Sequence, residues 1–322
     1  MIAAACSSRL QFVLDEALEL ARANTDGELA SYIPELAAVP PELTSAAIML
    51  CNGERLVAGD FAQHRFTMQS VAKVILLAGF LEKAGEEKVF SWINAEPSGL
   101  PFSSATQLDI FGPVPANPLI NAGAILLCSR IAGNRQERVA WLERWSERLL
   151  GSKVTANQSV FQSELATGDR NRALTYLMKS NGVIAGEVED ILETYFYLCS
   201  LEATIVQAAH MGMILANSGK ATDGSMILSE RNAAIIVSVM ATSGLYDESG
   251  MHLVRTGLPA KSGVSGLIVA VATGCAGIAV CSPRVNIKGG SVRGHIMLEY
   301  LSRQLGWHFA LQQSRRELCL PS

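Results

Sequence analysis

The sequence predicts a mixed α/β (α+β) fold: an antiparallel sheet built from both chain ends, with an inserted helical lobe between them. First, the apolar runs 46–50 and 55–58 flank Asn52-Gly53, a strong hairpin signal. Second, residues 104–243 have mainly helical spacing. Third, short runs rich in Val and Ile return after that block.

We therefore expect one domain over residues 1–322, since a core of this size is near the upper limit for a single domain. Its sheet lobe is expected at about 25–65 and 244–305, and its helical lobe at about 66–243.

The helices are predicted from apolar periodicity and end signals. Residues 9–22 and the largely apolar stretch 70–84 have helical spacing. Residues 203–216 predict another helix, which Asn217-Ser218-Gly219 ends, and 292–305 predict a closing helix. The later strands are expected near residues 251–256, 263–272 and 276–281.

Composition excludes several classes of protein. The net charge is −4 and the 26 basic residues are spread along the chain, so no nucleic-acid footprint is present. The N-terminus lacks the pattern of a signal peptide. The uncharged stretch 262–283 is broken by four glycines and is better explained by two strands joined by a turn than by a membrane span. We therefore expect a cytoplasmic protein with neither a nucleic-acid nor a membrane partner.

Cysteine and histidine usage predicts no metal and no disulfide framework. The seven cysteines are odd in number and widely spaced, and no C-x-x-C or H-E-x-x-H pattern occurs. The five histidines lack metal-ligand spacing. Free thiols in a reducing compartment and a protein without a cofactor are the expectation.

Ser70 and Lys73 form an S-x-x-K motif at the start of the predicted helix. Residues three apart share a helix face, so the amine can reach the hydroxyl. A serine is a weak nucleophile until a base removes its proton, and a lysine acts as that base only when its pKa falls to about 7 or 8. Burial and the helix dipole both lower that pKa. The motif occurs about once by chance in a chain of this length, so by itself it favours an exposed lysine after a helix cap.

Lys261-Ser262-Gly263 is a second element of acyl enzymes of the S-x-x-K type, where a K-[ST]-G strand borders the active site. Its position late in the chain, after the helical block, fits that role, although such a tripeptide is also an ordinary strand entrance. The third element of β-lactamases and penicillin-binding proteins, S-x-N or Y-x-N, is absent. That absence argues against a lactam-binding enzyme.

Six longer strings, in this order, closely resemble the glutaminase family, the serine-dependent relatives of β-lactamases. The resemblance runs from about Tyr32 to Gly294. One departure is Gly290, where family members usually have Asn in a Gly-Asn-Ser-Val string. The strings are residues 66–70 (FTMQS), 117–125 (NPLINAGAI), 163–164 with 168–171 (SE and GDRN), 195–200 (YFYLCS), 244–247 (GLYD) and 257–266 (GLPAKSGVSG).

The resemblance implies a β-lactamase/transpeptidase-like fold and hydrolysis of the L-glutamine side-chain amide. Ser70 would be the nucleophile, Lys73 its base and Tyr246 a proton relay to ammonia. The backbone N–H groups of Ser70 and Val264 would bind the oxyanion. A homo-oligomer, tetramer or dimer, is also implied. The substrate's α-amino and α-carboxylate groups would be bound by Asn121, Glu164, Asn171 and Tyr195, with Tyr32 closing the site and Lys261 as a secondary candidate.

The residues by themselves support part of this assignment. A zwitterionic amino acid needs a carboxylate for its ammonium group and several donors for its carboxylate. Glu164 and Asn171 lie seven residues apart around Gly168-Asp169, so they are near neighbours across a turn or one helix face. Taken singly, Glu164 and Asn121 are more often helix caps and Tyr195 a core residue.

Two other functions stay open at this point. One is a β-lactamase, esterase or D-Ala-D-Ala peptidase that uses the same Ser70 and Lys73; turnover of nitrocefin without turnover of glutamine would establish it. The other is a non-catalytic amino-acid sensor, which would bind glutamine and release no ammonia. The missing S-x-N argues against the first, and the intact set of Ser70, Lys73 and Tyr246 argues against the second.

Overall fold

A computed structural model describes residues 2–62, 64–101, 103–110 and 112–311; of residues 2–6 and 110, only the backbone is described. The strands are β1 (Glu28–Leu29), β2 (Ser45–Leu50), β3 (Arg55–Gly59), β4 (Arg65–Thr67), β5 (Glu202–Thr204), β6 (Ala260–Ser262), β7 (Leu267–Ala272), β8 (Ala276–Cys281) and β9 (Arg284–Val285).

The helices lie mostly between β4 and β6. They are α1 (Ile2–Arg22), α2 (Pro34–Ala37), α3 (Lys73–Ala84), α4 (Glu86–Phe90), α5 (Thr106–Ile110), α6 (Asn121–Ser129), α7 (Arg135–Leu150), α8 (Gln158–Thr167), α9 (Asp169–Ser180), α10 (Val188–Cys199), α11 (Ile205–Ala216), α12 (Glu230–Ser243), α13 (Ser249–Thr256) and α14 (Val292–Leu305), with 3-10 turns at Gln69–Ala72 and Tyr246–Glu248.

The main sheet has five antiparallel strands in the order β3-β2-β8-β7-β6. The hairpin β2–β3 turns at Asn52-Gly53, where Gly53 has a φ of 91° that favours glycine. Strand β2 pairs with β8, with Ala47 opposite Ala279, so the strands that come first and last in the chain within this sheet are neighbours. The prediction of a sheet assembled from both chain ends around an inserted helical block is confirmed.

The two faces of the sheet bury different layers. Ala47 and Ala279 belong to the core shared with the helical lobe, whereas their neighbours Ala46 and Val280 pack against α1 and α14. Helix α11 lies directly on the first face, and a Cβ atom built at Gly277 of β8 would lie 2.0 Å from the backbone nitrogen of Met213. The sheet is therefore covered on both sides, which explains why β2, β7 and β8 are buried throughout.

One predicted strand is wrong. Residues 251–256 lie in helix α13, not in a strand, and their burial follows helical spacing, with His252 and Thr256 buried and Val254 exposed. Gly257 ends that helix in the left-handed conformation, with a φ of 60°. The β-branched residues there misled the prediction, because i,i+4 burial decides the conformation of so short a segment.

The predicted strand at 263–272 begins later than expected. Lys261 and Ser262 end the separate short strand β6, a turn over 263–266 follows, and β7 begins at Leu267. The turn between β7 and β8 at 273–275 and the closing helix at 292–305 are confirmed. Within the described ranges, no helix is both long and apolar enough to cross a membrane.

Candidate active site

Ser70 lies in a tight 3-10 turn directly before α3, and Lys73 is the first residue of that helix. The predicted helix at 70–84 is thus present, but its first turn is tighter than an α-helix. Gln69 has a φ of 47°, a left-handed conformation that is unusual for a residue with a side chain. Strain of this kind persists where the surrounding structure holds it, and here it presents Ser70 to a cavity.

The cavity has a volume of about 370 Å³, which suits a small amino acid. It combines residues from the helical lobe with residues from the turns beside β6. Every predicted site residue lines it except Lys73 and Lys261, which are both fully buried. The predicted lining residues are Tyr32, Ser70, Asn121, Glu164, Asn171, Tyr195, Tyr246 and Val264.

The Lys73 amine is buried in a partly polar setting. Its Nζ donates to Oδ1 of Asn121 at 2.6 Å and lies 5.9 and 5.7 Å from the ring centres of Tyr195 and Tyr246. Burial lowers the pKa of Lys73 to about 8, since an ammonium group without water is disfavoured. That value lies in the range in which a lysine can act as a base near neutral pH.

Tyr246 begins the 3-10 turn that precedes α13 and has a φ of 56°, a second strained residue at the cavity. Burial raises the pKa of its hydroxyl, whereas a hydrogen bond with Ser70 lowers it. The phenol therefore stays protonated at neutral pH and contacts the serine.

Lys261 lies behind Tyr246, with Nζ 4.1 Å from its ring centre. The Lys261 amine donates to the backbone oxygen of Ser262 at 2.6 Å. Burial, followed by the nearby charge of Lys73, holds the pKa of Lys261 well below its usual value. Both lysines therefore have a depressed affinity for protons, and their charges oppose each other.

A chain of amide contacts extends from Lys73 across the cavity wall. Asn121, the first residue of α6, donates from Nδ2 to Oδ1 of Asn171 on α9 at 2.9 Å. Asn121 does not serve as a helix cap, because the capping position is Ile120. The two asparagines are fixed relative to Lys73.

Glu164 on α8 is the buried carboxylate of the cavity. The Tyr32 hydroxyl donates to its Oε1 at 2.6 Å and to Oε1 of Gln69 at 3.2 Å. Burial raises the pKa of Glu164, and hydrogen bonds from Tyr32 and Gln69 oppose that shift. Tyr32 remains 44% exposed, so its ring lies between the buried carboxylate and solvent.

Gly263 brings the end of β6 against the serine turn. A Cβ atom at Gly263 would lie 2.8 Å from the backbone oxygen of Met68, two residues before Ser70. The turn's own hydrogen bonds are donated by the N–H groups of Gly263 and Gly266, on either side of Val264. Val264 thereby reaches the cavity beside Ser70.

Comparisons with known proteins identify the family. The glutaminase family profile matches residues 27–309. The chain belongs to the glutaminase family. A glutaminase of Legionella pneumophila is 49% identical over 300 residues, covering 93% of this chain and 97% of the relative. A glutaminase of Clostridium tetani is 40% identical over 304 residues, covering 92% and 97% of the two chains.

Solved structures agree with this membership. One described as probable glutaminase ybaS is 37% identical with a TM-score of 0.91, and the match covers 95% of this chain and 99% of that chain. A probable glutaminase of Bacillus subtilis is 30% identical with a TM-score of 0.85, covering 91% and 96%. The chain is therefore a hydrolase with the β-lactamase-like fold, and the family predicted from its motifs is confirmed.

The cavity of this glutaminase is also lined by residues that were not among the predicted site residues, although some of them lie within the matching strings. Gln69 could have been suspected, because it precedes Ser70 inside the first matching string. Lys288 lies outside every matching string, whereas Gly289 begins the Gly-Gly-Ser-Val string in which Gly290 departs from the family. The additional lining residues are Gln69, Ser103, Thr167, Gly168, Arg170, Cys199, Ser262, Lys288 and Gly289.

Proposed function

We propose that this glutaminase hydrolyses the side-chain amide of L-glutamine to L-glutamate and ammonia through a glutamyl ester on Ser70. The observation that carries the proposal is Lys73, a buried amine with a pKa of about 8 three residues after a serine that lines the cavity. At neutral pH part of the Lys73 population is neutral and has a lone pair available for the Ser70 proton.

In the first half-reaction, Ser70 Oγ attacks the amide carbon while its proton moves to Nζ of Lys73. The carbonyl oxygen becomes an oxyanion, which the backbone N–H groups of Ser70 and Val264 would stabilise. Val264 lies in the turn next to Ser70, between Gly263 and Gly266. The N–H groups of these two glycines already donate to backbone oxygens of the turn and of Leu267, so Val264 is the residue of this turn that we assign as the second oxyanion donor.

The carbon–nitrogen bond then breaks, and the departing nitrogen must gain a proton to leave as ammonia. Tyr246 is suited to deliver it, because its protonated phenol contacts Ser70 and lies over both lysines. Lys73 then returns the serine's proton to the Tyr246 oxygen, so no net charge is lost. In the second half-reaction a water attacks the ester, and its proton follows the same route back to Ser70.

Substrate recognition would use the opposite wall of the cavity. Glu164 would pair with the α-ammonium group, because a buried carboxylate is stabilised by a cationic partner. Asn121, Asn171 and Tyr195 would orient the α-carboxylate, and Tyr32 would close the cavity. The fixed contacts between Lys73, Asn121 and Asn171 link this wall to the nucleophile.

The test is ammonia release from glutamine, asparagine and glutathione, assayed side by side for the parent and for Ser70→Ala. We expect glutamine turnover by the parent and a loss of at least about a thousand-fold in Ser70→Ala. Thermal unfolding should change little, since Ser70 contributes a hydroxyl at a cavity surface. Activity above a thousandth of the parent would remove Ser70 from the nucleophile role. Glutamine binding without ammonia release by the parent would establish the sensor instead.

We also propose a cytoplasmic homo-oligomer, either a tetramer or a dimer. Five described cysteines are free thiols, which suits a reducing compartment. Exposed apolar side chains such as Phe12 (61%) and Leu20 (50%) on α1 offer surface for self-association. Light scattering during size-exclusion chromatography would measure the oligomeric state. A monomer at micromolar concentration would contradict the proposal of a homo-oligomer.

A further inference from the structure

A polar cluster of Glu248, Asn286 and His295 lies beside the Tyr246 turn but outside the glutamine cavity. Asn286 donates from Nδ2 to Oε1 of Glu248 at 2.8 Å. Nε2 of His295, on α14, lies 4.0 Å from the other oxygen of Glu248. The backbone N–H of Gly290 donates to Oδ1 of Asn286 at 3.1 Å. The three side chains line a second, larger groove of about 1070 Å³.

Gly290 lies within this cluster and leaves the space that its side chains occupy. A Cβ atom at this position would lie 2.7 Å from Oε2 of Glu248 and 2.8 Å from Nε2 of His295. Gly290 is not among the glycines with positive φ, so its backbone conformation is open to other residues. A larger residue here, such as the asparagine that is usual in the family, would displace the ends of the Glu248 and His295 side chains from their present positions.

The cluster joins the 3-10 turn at Tyr246–Glu248 to the loop at residues 286–290. Glu248 ends the 3-10 turn that Tyr246 begins, and Tyr246 is strained, with a φ of 56°. Asn286 belongs to the loop that carries Lys288 and Gly289 into the glutamine cavity. A second link, from Lys288 Nζ to Oδ2 of Asp247 at 2.9 Å, is 44% and 26% exposed, so it holds the turn weakly.

We propose that Glu248, Asn286 and His295 are positioning residues that hold the Tyr246 phenol against Ser70. They do so in the space opened by Gly290. A strained residue keeps its conformation only when its surroundings oppose relaxation, and the Asn286–Glu248 contact supplies that constraint two residues from Tyr246. The inference rests on the proposed function of Tyr246 as the proton relay.

The experiment measures kcat and KM for glutamine in Glu248→Ala, Glu248→Gln and His295→Ala. Glu248→Ala should lower kcat by about ten-fold or more with KM changed by less than about three-fold, because the relay is displaced while the substrate-binding wall is intact. Glu248→Gln should retain most of kcat, since its amide oxygen still accepts from Asn286. Glu299→Ala, which removes another acid lining the same groove, is the matched control and should leave kcat unchanged.

Gly290→Ala tests the packing. In the parent it should lower kcat with little change in the thermal midpoint, because the atoms that it displaces are the ends of flexible side chains. In the Glu248→Ala/His295→Ala background it should cause no further loss, since the space is then empty. Equal losses in both backgrounds, or an unchanged kcat in Glu248→Ala, would overturn the proposal. A parent that releases no ammonia from glutamine would instead overturn the proposed function.

Discussion

Lys73 has an ionisable side chain with no access to solvent, and its pKa follows from that location. Its nearest polar partner, Asn121 Oδ1, accepts a hydrogen bond but carries no charge. Because nothing in direct contact neutralises the ammonium group, burial dominates and the neutral amine is favoured above about pH 8. Burial therefore makes Lys73 suitable as the proposed general base.

Glutamine turnover should rise with pH as Lys73 loses its proton. With a pKa of about 8, about a tenth of the lysine is neutral at pH 7 and about nine-tenths at pH 9. The measurement is kcat at saturating glutamine between pH 6 and pH 10, since kcat reports the groups of the enzyme–substrate complex. A kcat that stays flat or falls across this range would exclude Lys73 as the base.

Replacing Lys73 with methionine should remove activity and change the pH dependence of stability. The folded-state pKa of about 8 lies below the usual value of 10.5, so the unfolded chain binds more protons between these values. The parent therefore gains stability as pH rises from about 8 to 10.5, by about 3 kcal/mol. The Lys73→Met variant should lack this pH-dependent gain in stability, because methionine does not ionise.

Urea unfolding of the parent and Lys73→Met at pH 7 and pH 10 would measure this effect. The stability difference should shift by about 2–3 kcal/mol in favour of the parent at pH 10. A pH-independent difference would mean that Lys73 keeps an ordinary pKa in the folded protein.

At the scale of elements, the active site forms where the end of β6 meets the 3-10 turn of Ser70. Gly263 permits this contact, because its missing side chain lets the backbone approach Met68. The contact joins Ser70, the proposed nucleophile, which follows β4, to a turn nearly two hundred residues later in the chain. The proposed pair of oxyanion donors depends on this one approach.

Gly263→Ala should lower kcat by about ten-fold to a hundred-fold. The new Cβ would lie 2.8 Å from the backbone oxygen of Met68, which cannot rotate away, so Val264 would move from Ser70. Steady-state kinetics with glutamine would measure the loss. Gly250→Ala is the control, because a Cβ there meets nothing within 4 Å. Parent-like kinetics in Gly263→Ala would show that the turn tolerates the displacement.

At the scale of the whole molecule, Arg293 links the closing helix α14 to the segment between α1 and β2. It is fully buried on α14 and donates from Nε to the backbone oxygen of Asn24 at 2.8 Å. It also donates to Oε2 of Glu42 at 2.6 Å and to Oγ1 of Thr44 at 3.2 Å. The segment between α1 and β2 is thereby held against the closing helix.

Arg293→Ala should destabilise the protein by about 3 kcal/mol, because it empties the space of a fully buried side chain and removes its hydrogen bonds to Asn24 and Thr44. Denaturant unfolding would measure the loss, and kcat per folded molecule should stay near that of the parent. Arg303→Ala on the same helix is the control: this residue is 73% exposed, and its pair with Glu299 should contribute under about 1 kcal/mol. Equal losses of unfolding free energy in the two variants would show that the burial of Arg293 adds nothing to stability.

Much of this protein could be predicted before its structure was known. The Asn52-Gly53 turn, the closing helix and the Ser70 to Lys73 spacing are local, since each depends on residues a few positions apart. The longer strings led to the family, which the comparisons confirm. The roles of Ser70, Lys73 and Tyr246 stay predictions until the variants are assayed.

The tertiary structure decided what depends on contacts between distant residues. It placed Asn121 against Lys73 and brought Gln69 and Lys288 to the same cavity. It also made residues 251–256 helical, because burial of His252 and Thr256 outweighs a local preference for strand. A pKa and a cavity depend on which groups exclude water from which others, and the folded chain alone sets that arrangement.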